Sequence, residues 1–165
     1  MIALIVISPL TTPGQTRKRS TKRAPTRSTS AAKSTAALRA GKIRAADQVK
    51  NLTRFIYLLG GVAKGLEQTD AAISRNEATP AIVERLKKSK ASVTASLQSV
   101  REGLDKLEID FRTTPELQPY YIRLAGVAAG AAKAEELGAA NQYDQAGRTL
   151  LEVVNRLTDV LAEMS

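Results

Sequence analysis

Between Thr79 and Arg112 the apolar residues fall on a single helical seam. Leu86, Val93, Leu97, Val100, Leu104, Leu107 and Phe111 follow alternating steps of four and three, with one missing rung at Lys90. This alternation sets the bulky side chains on one stripe of an α-helix, as in bundles and coiled coils. Thr79 suits the N-cap, and Pro80 suits the first helical position, where its missing N–H costs nothing. Glu84 lies near the positive end of the helix dipole and Arg112 at the negative end. The spacing predicts a helix over 79–112.

Three more segments carry a similar signature. Leu52, Phe55, Leu59, Val62, Leu66 and Ile73 predict a helix over 44–76, with Thr69 completing the ladder. Gly60, Gly61 and Gly65 interrupt it, each weakening the helix by about 1 kcal/mol relative to Ala. They admit a close neighbour or mark a kink. A tight turn is expected from Asn76 to Thr79.

Thr113, Thr114, Pro115 and Glu116 repeat the cap-then-proline signal and predict a third helix over 115–138. Its inner face is small: Ala125, Gly126, Ala128, Ala129, Gly130, Ala131 and Ala132. This run ends at Lys133 and is too short to cross a bilayer, so close packing against a bulky neighbour is expected. The last helix is predicted over 142–164 from Tyr143, Leu150, Val154, Leu157, Leu161 and Met164, with Gly147 at a missing rung. It is bulky where the third is small, so the two should form a hairpin. The stretch LGAANQYDQAGRTLLEVV is faintly similar to a tetratricopeptide hairpin, but no repeat of about 34 residues recurs, and a generic hairpin is the reading. Four helices joined by short turns predict an all-α, antiparallel up-down-up-down four-helix bundle over 41–165.

Residues 1–40 read differently. Met1 to Leu10 is an apolar start too short to span a membrane, with its positive charges after it rather than before, unlike a signal peptide. A short anchor, a strand added to another sheet and a misassigned start are the readings it leaves. Residues 11–34 are rich in Ser, Thr, Arg, Lys and Pro and offer nothing apolar to bury, so a disordered tail is expected, turning helical between Thr35 and Asp47 with Gly41 a weak point.

Charge sharpens this division. Arg17, Lys18, Arg19, Lys22, Arg23, Arg27, Lys33, Arg39, Lys42 and Arg44 precede the first acid, Asp47. They are ten of the 25 basic residues, leaving 15 against 16 acids in the remainder. The net charge of +9 thus belongs to a polycationic arm on a nearly neutral body.

Searches for catalytic chemistry return little. The chain has no Cys and no His, which removes thiolate chemistry, disulfides and the commonest general base and metal ligand. Gly60 to Gly65 has phosphate-loop glycine spacing, but Leu66 and Glu67 stand where Lys and Ser or Thr are required. Ser30 and Lys33 match a Ser-x-x-Lys spacing without a scaffold to position them. Glu135, Glu136, Glu108 and Asp110 read as solvated helix faces, and Tyr120 and Tyr121 as core or interface anchors. No catalytic, cofactor or metal residues are expected.

The arm carries a mechanism of its own. Dispersed cations on a flexible background bind phosphates by counterion release. The ten basic residues are therefore candidate nucleic-acid contacts in a non-enzymatic protein of the cytoplasm or nucleoid, and another polyanion or an anionic surface would suit them equally. One alternative is a structural or adaptor protein that self-associates along the helical seam. Another is an organelle-imported bundle whose N-terminus is a removable transit peptide. No transmembrane segment is expected.

Overall fold

The computed structural model describes residues 27–165, with side chains from residue 31 onward, and these residues form five helices and no strand. They are α1 (Arg27–Ser74), α2 (Pro80–Thr113), α3 (Gln118–Leu124), α4 (Val127–Ala139) and α5 (Tyr143–Glu163). The expected tail over residues 1–26, with its apolar start, lies outside the described residues.

The helices close a ring in chain order. α1 packs on α2 and α5, and α4 packs on the same two from the opposite corner, while α3 joins α2 to α5. Lys90 reaches Asp70 near one end of the α1–α2 pair and Arg44 reaches Asp110 near the other, so these helices run antiparallel. Lys42 meets the end of α5, whereas Leu59 stands beside Gly147 near its start. The architecture is the antiparallel up-down-up-down bundle, with α3 and α4 sharing the third position.

The seam of α2 faces inward as its spacing predicts. Leu86, Val93, Leu97, Leu104, Leu107 and Phe111 are buried, with Val100 packed against them. Lys90, the missing rung, donates from Nζ to Asp70 Oδ2 at 2.7 Å. Thr79 is the N-cap, but its side chain makes no capping bond; its carbonyl receives the N–H groups of Ile82 and Val83 at 2.9 and 3.2 Å. In the turn before it, Asn76 takes the left-handed conformation that Asn tolerates. α5 buries Tyr143, Ala146, Leu150, Val153, Leu157 and Val160, so the deepest stripe includes Val153 and Val160 rather than Val154 and Leu161. Burial pushes the Tyr143 phenol above its ordinary pKa, and its hydroxyl lies 3.1 Å from Asn141 Oδ1.

Three boundaries differ from the spacing's prediction. α1 starts at Arg27, not near residue 44. The extension is alanine-rich and free of proline, which favours helix. Gly41 does not break it, because Leu117 of the α2–α3 connection packs onto that glycine. The predicted third helix is two helices. α2 continues to Thr113, leaving Thr114 as its C-cap, and α3 begins at Gln118 with Pro119 in its first turn. The break before α4 falls at Gly126, whose φ of +91° is a left-handed value that favours glycine. Glu108 of α2 receives the N–H groups of Gly126 and Ala128 at 3.4 and 3.2 Å, placing a carboxylate at the positive end of α4.

Close packing of the small face is observed. Ala131 and Ala134 are fully buried, Val153 of α5 lies against Gly130, and Leu97 of α2 sits where a β-carbon on Gly138 would project. Tyr120 and Tyr121 pack partly buried against the core. The reading of the acids as solvated faces holds for Glu136 but needs correction elsewhere. Glu108 caps α4, Asp110 pairs with Arg44, and Glu135 accepts from Arg101 Nε at 2.6 Å. That contact raises the Arg101 pKa further above its ordinary value.

The bundle is four helices thick along only part of α1. The helix has 48 residues, about 72 Å at 1.5 Å per residue. α5, with 21 residues, covers it from the level of Lys42 to about Gly60. Beyond that level α1 and the start of α2 form a two-helix finger around Leu66, Ile73 and Leu86.

Candidate nucleic-acid interface

The basic N-terminal arm meets the bundle through α1. No acid lies in the first turn of that helix, so its positive dipole end is not offset by a local carboxylate. Of residues 31–37, five are fully exposed, and contact with the core begins at Leu38 and Gly41. The helix therefore stands out from the bundle where the basic sequence enters it.

The ten candidate residues divide into groups. Arg17, Lys18, Arg19, Lys22 and Arg23 lie outside the described residues. Arg27 opens α1, and its side chain is not among those described. Lys33 and Arg39 face solvent, and neither forms an ion pair among the described residues. Lys42 and Arg44 are engaged in the fold. Lys42 Nζ donates to the Met164 carbonyl at 3.4 Å and lies 3.2 Å from Ser165 Oγ, setting a cation at the negative end of α5. Arg44 Nε lies 3.4 Å from Asp110 Oδ2. At 100° per residue Lys33 and Arg44 share one side of α1 while Arg39 and Lys42 turn to others. The structure thus brings these four onto one helix but not onto one face.

The body treats its cations differently. Lys50, Arg75, Lys87, Lys90, Arg101, Arg123 and Lys133 each have a carboxylate within 4.0 Å. Uncompensated positive charge on α1 is thereby concentrated at its first turns, continuous with the acid-free sequence before it. Residues 60–65, with their phosphate-loop spacing, are an uninterrupted part of α1 and form no loop.

One surface was not anticipated. Tyr57 and Leu58 of α1 are 82% and 56% exposed, and Val62, assigned to the inward ladder, is 40% exposed. The buried stripe of α1 runs through Ala45, Leu52, Leu59, Ala63 and Leu66 instead. A signal was present: Tyr57 and Leu58 lie off the ladder that includes Leu52, Leu59 and Leu66.

Among the described residues, no helix is long and apolar enough to cross a membrane. No protein-family model matches the chain, and no curated protein or solved structure matches it.

Proposed function

We propose that this chain is a non-enzymatic helical-bundle protein whose polycationic N-terminal arm binds nucleic acid without sequence specificity. The observation that supports the reading is the segregation of charge. Ten basic residues precede the first acid, and the rest of the chain is nearly balanced. Phosphate contacts release condensed counterions, which drives binding without reading bases. The first 46 residues contain no aromatic side chain, which disfavours recognition by base stacking. The positive end of the α1 dipole has the same sign as the arm, and a phosphate there would relieve both. The reading implies a cytoplasmic or nucleoid location.

Because Lys42 and Arg44 already serve the fold, the arm has eight cations to offer. Titration of duplex DNA at several salt concentrations tests the proposal. Affinity should fall linearly on a log–log plot, with a slope near −0.9 for each phosphate contacted and roughly four to eight contacts in all. Unrelated sequences should bind alike. Replacing Arg17, Lys18, Arg19, Lys22 and Arg23 with Gln should flatten the slope while leaving helicity intact. An unchanged slope, or no binding at low salt, rejects nucleic acid as the partner.

A further inference from the structure

The outer face of α1 midway along the helix is apolar and uncovered. Tyr57 and Leu58 project from it, and the next turns are bare: a β-carbon on Gly61 or Gly65 would meet nothing within 4 Å. The apolar surface continues sideways onto both flanking helices. Towards α2 a groove of about 360 Å³ includes Val62, Gly65 and Ile82. Towards α5 a second, of about 290 Å³, includes Gly60 and Leu151, the latter 51% exposed. Glycines that admit no neighbour within the chain weaken α1 without an internal return. Monomer surfaces seldom leave so broad an apolar face without a partner.

We propose that a second copy of this chain covers this face, with the two α1 helices packed antiparallel about a two-fold axis near Gly61. A two-fold interface must be self-complementary, and this one carries a projection and a recess in the required register. Tyr57 lies four residues before Gly61 and Gly65 four after, so the axis sets each tyrosine level with the bare backbone of the other copy's Gly65. Charge selects the direction. Lys50 and Arg54 flank the face on one side, whereas Gln68 and Ala72 occupy the corresponding places on the other. Antiparallel pairing sets Arg54 level with Gln68 and Lys50 level with Ala72. Parallel pairing would stack Arg54 on Arg54 and Lys64 on Lys64. The α2 seam, by contrast, is already occupied by the chain's own helices.

The proposal is independent of nucleic-acid binding, and it is tested on the full chain without DNA, in salt high enough to screen the arm. Sedimentation over increasing protein concentration should show a monomer–dimer equilibrium. Gly61→Glu should raise the dissociation constant by at least about tenfold, about 1.4 kcal/mol, without lowering the monomer's melting temperature, because the site is open. The chain has no cysteine, so Gly61→Cys supplies a unique thiol that should cross-link as a dimer on mild oxidation, whereas exposed Ser99→Cys on α2 should not. A parent that stays monomeric at hundreds of micromolar overturns the proposal. So does a Gly61→Glu variant that dimerises like the parent, or equal cross-linking at both positions.

Discussion

Leu97 and Gly138 are a pair whose sizes are set by each other. Leu97 is fully buried, and its Cδ1 fills the place where a side chain on Gly138 would begin. Helix propensity alone would make Gly138→Ala stabilising by about 1 kcal/mol. Here the clash dominates, and a net loss in the range of about 1–3 kcal/mol is expected. Leu97→Ala should cost roughly 2–5 kcal/mol through the cavity it leaves. Shortening Leu97 makes room for the alanine, so the double variant should be less destabilised than the sum of the two. Urea denaturation of the four proteins measures this directly. Additive losses would mean that α2 and α4 do not meet at this point.

Helices differ in how much support they receive. In the finger, Leu86 and Val93 keep 7% and 8% exposure, whereas Leu97, Leu104 and Phe111 on the same helix keep none. With one helix beside each other instead of two, the finger opens at lower free energy. Amide exchange should therefore be faster over 66–90 than over 97–111, read by mass spectrometry on intact full-length protein. Uniform protection along α2 would contradict this. The same comparison shows what the sequence made legible. Seam periodicity located α2 and α5 to within a residue or so, because their apolar residues face a continuous core. It did not separate α3 from α4, because the break depends on Gly126 taking a left-handed conformation held by Glu108, twenty residues before Ala128. It placed Val62 inward because Val62 fits the local ladder, although the neighbouring helix shields Ala63 and Leu66 instead. Of the candidate interface, composition revealed the charge; that Lys42 and Arg44 are committed to α5 and α2 is a tertiary fact with no local trace.

As a whole, the molecule separates a folding unit from a charged extension. Core contacts begin at Leu38 and the first cross-bundle ties at Gly41 and Lys42. Deleting residues 1–36 should accordingly leave a cooperative helical melt with the midpoint nearly unchanged. A broad transition in circular dichroism, or a large fall in its midpoint, would show that the extension supports the fold. α1 also belongs to both parts without interruption, and that continuity makes it a strut. From Lys33 to Ser74 it spans about 60 Å, at 1.5 Å per residue. A duplex advances by about 3.4 Å per base pair, so this strut equals nearly two of its turns. Anything gripped at the first pole is held that far from whatever meets the fingertip, which gives the chain the mechanical character of a spacer.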